Sequence, residues 1–218
     1  MLLYEEFFLL ALNDAKSHIP NTLESQMGFG ISGAILSDLV LAGRIGLGPK
    51  QHLVVVDPHP TGDDLLNEVL GLVDEFDRPH KAVFWVNKLA VSIKKLERRV
   101  GMKLVSKGIL RREEKRYLWV IPYDAYPEVD ASAKYWVKQG LRQMVLEHKE
   151  ASPQQIALLG LVRACDMLGF IFTRDELKAA RMTIDALTFS DEIGKGVRET
   201  IEAIEAAAIS ASLSANFG

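Results

Sequence analysis

Ten basic side chains fall between Lys94 and Arg116, accompanied by only three acidic ones, Glu97, Glu113 and Glu114. The segment carries +7 in a chain whose formal charge is −3, so the remainder carries −10. Cations gathered in this way attract anions, and each one held close to an anionic leaflet contributes roughly 1 kcal/mol to binding. At helical spacing Lys94 and Arg98 stand opposite an apolar stripe that Lys88, Lys95 and Arg99 flank, so a helix can bury its stripe and still show cations to solvent. The expected anion-binding face is Lys94, Lys95, Arg98 and Arg99. Tyr117, Leu118, Trp119 and Val120 follow closely, an amphipathic aromatic run of the kind that settles at a membrane interface.

Other candidate chemistries fail on spacing. Gly28-Phe29-Gly30-Ile31-Ser32-Gly33 has the form of a dinucleotide fingerprint, with Asp57 further on. That fingerprint requires a buried strand ahead of its first glycine, and Thr22 to Met27 do not read as one. Close helix packing is the expected use of these glycines. The histidines His18, His52, His59, His80 and His148 form no ligand pairing. Cys165 lies in an apolar helix, where a thiol is inert. Glu5 and Glu6 are adjacent and point to different faces of a helix. The expectation is a protein without catalytic residues, cofactor or metal.

The elements that must position the basic face are mostly helical, with apolar residues at spacings of three and four. A first helix is predicted over about Leu3 to Leu12 and a second over about Ile31 to Ala42. Arg44 to Leu47 and His52 to Asp57 read as a hairpin turning at Gly48-Pro49, and Thr61 as the cap of a third helix. His80 to about Val100 reads as one helix, because Val86, Leu89, Ile93, Leu96 and Val100 share a stripe, with an interruption at Gly101. A second hairpin is predicted from Gly108 to Arg112 and Lys115 to Ile121, turning at Glu113-Glu114. Asp130, Ser152-Pro153 and Thr173, the last in a capping box with Glu176, each start a further helix, and a final one starts near Ser190. The predicted fold is mainly α, one helical bundle over residues 1–218 with one or two short β-hairpins.

Composition sets the bounds. Two hundred and eighteen residues with 48% apolar content suffice for one full core. An overall negative balance argues against a protein that coats nucleic acid over its whole surface. A single cysteine excludes an internal disulfide framework and fits a reducing compartment. The apolar start, MLLYEEFFLLALND, lacks a basic n-region and is interrupted by Glu5 and Glu6, so it reads as a core helix. No run approaches the length of a membrane span. Any membrane contact is peripheral, from the cytoplasmic side.

Four blocks in order resemble the Golgi phosphoprotein 3 family: Leu3 to Asp14, Gly30 to Ile45, Pro60 to Asp63 with Leu65, Leu66 and Glu68, and Leu104 to Leu110. The helix around Cys165 to Leu168 fits the family's later part, so the likeness covers nearly the whole chain. The resemblance implies a non-enzymatic, mostly helical domain that binds phosphatidylinositol 4-phosphate at a basic pocket. It also implies a hairpin that dips into the bilayer or pairs two copies. Lacking the basic extension of eukaryotic members, the chain is expected to be a prokaryotic relative. The family's headgroup positions, a Trp, an Arg and a pair of Arg, fall here on Leu23, Ser32, Lys94 and Glu97, so only Lys94 keeps the charge.

Three readings follow. The first is a cytoplasmic, peripheral protein that meets anionic lipid headgroups through Lys94, Lys95, Arg98 and Arg99, with Tyr117 and Trp119 wedged at the interface. The second takes helix, basic helix and two-stranded wing as a winged-helix regulator that binds DNA. The third is a homodimeric adaptor whose hairpin is buried between two copies.

Overall fold

The structure, a computed structural model, describes residues 1–117, 120–188, 195 and 197–202, with their side chains except those of Tyr117 and Ile121. Helix α1 (Leu3–Ala11) buries every residue but Glu6, as its unbroken apolar sequence requires. Its first turn is capped from outside: Leu3 and Tyr4 N–H donate to the two Asp38 carboxylate oxygens at 2.9 and 3.1 Å. Asp38 belongs to α2 (Glu24–Leu41), which starts well ahead of the predicted Ile31. Gly28, Gly30 and Gly33 are therefore helical, and a Cβ on Gly30 would collide with the Phe7 ring and reach within 2.9 Å of Cys165 Sγ. Close helix packing is what Gly30 serves, and at Gly28 a Cβ would meet Ala90 of the neighbouring helix at 3.4 Å.

The first hairpin forms as predicted, β1 (Ile45–Leu47) against β2 (His52–Val55), and β3 (His80–Lys81) adds to the other edge of β2 in an antiparallel order β1-β2-β3. Helix α3 (Asp64–Asp74) is capped by Asp63, whose carboxylate accepts from Leu65 and Leu66 N–H at 3.1 and 3.0 Å. Thr61, the predicted cap, instead bonds Asn67 Oδ1 through both N–H and hydroxyl.

The predicted single helix over His80 to Val100 is two: α4 (Ala82–Ser92) and α5 (Leu96–Ser106). Ile93 is extended and Lys95 is left-handed at φ 55°, yet Val86, Leu89, Ile93, Leu96 and Val100 are all buried, so the kink preserves the stripe that suggested continuity. Helix α5 runs through Gly101, where a Cβ would stand 2.5 Å from the Tyr126 ring.

The second hairpin is β4 (Glu113–Tyr117) and β5 (Ile121–Ala125), in register Lys115↔Tyr123. Its turn is not at Glu113-Glu114, which lie inside β4 opposite Ala125 and Asp124. Leu110 bridges Glu128 and Arg111 N–H bonds Pro127 O at 2.9 Å, which carries the pairing back past the charged pair.

Helices α7 (Pro153–Ala164) and α8 (Arg174–Thr188) start at their predicted caps, Ser152 and Thr173, and α6 (Ser132–Leu146) starts two residues after Asp130, whose carboxylate accepts from Ser132 N–H at 2.9 Å. Arg142 ties α6 to α8 through both Glu176 oxygens, at 2.9 and 2.5 Å. Residues 195 and 197–202 are helical, and the rest of the predicted final helix lies outside the described residues. One hydrophobic core runs through these elements, with α1 packed against α2, α5, α6 and α7, so the fold is mainly α as predicted.

Candidate functional site

Helix α5 brings the basic segment to the surface, and the decisive feature is which of its cations the protein neutralises itself. Arg98 Nε lies 3.4 Å from Asp124 on β5, and Arg99 donates to Glu68 on α3 at 2.5 Å. Lys103 bonds both Asp63 and Asp64, and Lys107 reaches the fully buried Glu5 at 2.5 Å. In the hairpin, Arg112 pairs with Asp124 at 2.6 Å, while Arg111 and Lys115 hold Glu113 at 2.9 and 3.3 Å. The Glu68 bond holds the Arg99 guanidinium above its already high range, which fixes it as a satisfied cation.

Lys94, Lys95 and Arg116 remain, all exposed and without a carboxylate partner among the described residues. The four residues expected to bind anions thus divide into two that are free and two that are engaged. Lys94 and Lys95 immediately precede α5, where the helix dipole already places partial positive charge, so each costs the helix about 0.3–1 kcal/mol. The left-handed Lys95 adds a backbone cost of about 1 kcal/mol. Val91, 83% exposed at the end of α4, stands three residues ahead of Lys94.

The Arg98–Asp124 pair sets the start of α5 against the hairpin, and Asp124 lies three residues from Ile121, where β5 begins. Of the predicted apolar strand Tyr117-Leu118-Trp119-Val120, Tyr117 belongs to β4. Val120 is in the turn and 76% exposed, and Leu118 and Trp119 lie outside the described residues.

Between the starts of α2 and α5 and strand β5 lies a cavity of about 220 Å³. Glu24, Glu97 and Asp124 face it, as do His18, Tyr123 and Tyr126, with the His18 and Tyr123 rings 5.2 Å apart. Burial, and next the Glu24 charge, hold the Glu97 carboxyl above the ordinary glutamate range. Leu23 and Ser32 are buried, at 4% and 0% exposure. Charge counting over the basic segment does not find the neutralising carboxylates, because Glu68, Asp64 and Glu5 stand 31, 39 and 102 residues from their partners.

A mainly helical protein whose basic helix start and short hairpin flank a small cavity is the class this geometry defines. The chain belongs to the Golgi phosphoprotein 3 (GPP34) family, which it matches over residues 3–204. It is similar to vacuolar protein sorting-associated protein 74 of Eremothecium gossypii, 27% identical over 183 residues that make up 72% of this chain and 54% of that one. It is also similar to the protein of the same name from Schizosaccharomyces pombe, 27% identical over 158 residues, 64% of this chain and 46% of the relative. The chain therefore spans about half the length of these curated relatives. No helix among the described residues is long and apolar enough to cross a membrane.

Proposed function

We propose that the protein is a non-catalytic, peripheral membrane protein that docks on anionic lipid through the start of α5. The observation that carries this reading is the pair Lys94 and Lys95, exposed, without a carboxylate partner among the described residues and placed where their charge disfavours the helix they introduce. An anion at that point relieves the repulsion and meets both ammonium groups. Arg116 and the exposed Val91 and Val120 extend the surface, and the sequence Leu118-Trp119 supplies apolar side chains of the type that anchor at an interface. Arg98 and Arg99 act as struts that hold α5 against β5 and α3. Three cations at about 1 kcal/mol each give weak, reversible association that an apolar anchor strengthens.

Membership of a family named for the Golgi, and relatives named for vacuolar protein sorting, favour a membrane-trafficking setting over the DNA reading. The engagement of Arg99 and Lys103 by carboxylates of α3 also weighs against α5 as a DNA-reading helix. Glu97 stands where the resemblance places a headgroup cation, which favours a general anionic surface over phosphatidylinositol 4-phosphate. Co-sedimentation with vesicles of phosphatidylcholine alone and with added phosphatidylglycerol tests the reading. Binding is expected only with the anionic lipid, and equal recovery from both removes the electrostatic mechanism.

A further inference from the structure

The outward face of α6 breaks a pattern that α8 keeps. A surface helix ordinarily turns charged residues to solvent, as α8 does with Arg174, Asp175, Lys178 and Arg181. On α6 the stripe Ser132, Trp136, Gln139 and Gln143 runs at spacings of four, three and four, with Tyr135 beside it, and none of these residues is charged. The helix contains no acidic residue, and its three cations share one flank. Lys134 is turned inward onto Asp14 and Leu12 O, Arg142 holds Glu176, and Lys138 lines a cavity with Asp14. Trp136 is 66% exposed and Tyr135 53%, and their rings meet edge to face at 5.1 Å, so they form one patch.

Aromatic side chains in a surface depleted of charge have the composition of an interface centre. The absence of charge also selects the partner. A basic tail, a nucleic acid or an anionic membrane finds no opposing charge on this face. A second copy needs none: about a twofold axis each central residue meets its own counterpart, so a charge there would face a like charge. We propose that two copies of the chain pair through α6 about a twofold axis near Gln139, with Tyr135 and Trp136 at the centre. The two rings leave roughly 250 Å² open in each copy, which gives the pair about half of the roughly 1,000 Å² that a specific interface needs. The uncharged stripe from Ser132 to Gln143 supplies its surroundings. This face is separate from the lipid-docking one. Val129, just ahead of α6, donates its N–H to Ile109 O just past the end of α5, whereas Lys94 and Lys95 precede the start of α5.

Sedimentation equilibrium of the full chain, from micromolar to submillimolar concentration and without lipid, is expected to show a reversible monomer–dimer equilibrium. Trp136→Glu is expected to raise the dissociation constant at least about thirtyfold with an unchanged circular dichroism spectrum. Val120→Glu, in the second hairpin, is expected to leave the dimer intact. Gln139→Arg and Gln139→Glu are each expected to weaken self-association, and mixing the two variants to restore it, because opposite charges then meet across the axis. A chain that stays monomeric throughout overturns the inference. So does a dimer that Val120→Glu breaks and Trp136→Glu does not, which assigns the pairing to the hairpin. Mixed Gln139 variants that fail to reassociate overturn the twofold arrangement. A spin label on Gln139→Cys that phosphatidylglycerol vesicles shield in a monomeric chain overturns the inference in favour of a membrane contact.

Discussion

Removing Lys94 and Lys95 together should cost membrane binding, whereas removing Arg98 and Arg99 together should cost stability. Each free lysine contributes about 1 kcal/mol near an anionic leaflet, so Lys94→Ala/Lys95→Ala loses about 2 kcal/mol, roughly thirtyfold in vesicle partitioning. Arg98 and Arg99 each have a carboxylate within 4 Å, Asp124 at 3.4 Å, which Arg112 also holds, and Glu68 at 2.5 Å, so they present less charge than the free lysines. Arg98→Ala/Arg99→Ala therefore changes partitioning by less than about threefold, and it lowers unfolding stability by about 0.2–1 kcal/mol for each partly exposed pair. Sedimentation against phosphatidylglycerol vesicles at low salt, where screening is weakest, reads the first effect, and urea unfolding reads the second. If the arginine variant loses as much binding as the lysine variant, or the lysine variant keeps its binding, the division of the basic segment into free and engaged cations does not govern docking.

Other outcomes follow from single sites. Lys95→Gly relieves a left-handed backbone and a cation at the start of α5, so urea unfolding should show a gain of about 0.5–1 kcal/mol while vesicle binding weakens. Gly101→Ala puts a methyl group against the Tyr126 ring and should cost about 1–3 kcal/mol in the same assay. The Asp38 carboxyl is pushed up to about 7 by burial, so the folded chain holds a proton that the unfolded chain releases near pH 4. This group makes stability fall as pH rises from about 4 to about 7, and melting across that range should show a flatter profile for Asp38→Asn than for the wild type. The Cys165 thiol is pushed up to about 12 by burial, so a disulfide reagent should label it slowly until denaturant is added.

Local signals survived the passage from sequence to structure wherever one residue type had one use. Ser152 with Gln155 and Thr173 with Glu176 form their capping boxes, and the unbroken apolar run of α1 is buried as it reads. The break between α4 and α5 was illegible because left-handed Lys95 shifts the axis without removing Ile93 or Leu96 from the core, and periodicity sees only burial. Glu113-Glu114 resembles a turn in composition but sits in β4, where Arg111, Lys115 and Arg112 offset its charge and that of Asp124 opposite Glu114. The basic face was legible as a segment and not as a site. Which cations are free depends on carboxylates of α1, α3 and β5, and no local pattern announces those partners.

Depth measured on a bound vesicle tests the docking face most directly. A spin label on Val91→Cys, beside the free lysines, is compared with one on Met182→Cys, 85% exposed on α8, with Cys165 buried and inert in both. Phosphatidylglycerol vesicles should shield the label at 91 from a water-soluble relaxation agent and leave the label at 182 accessible. Equal accessibility at the two positions on bound protein contradicts this docking face.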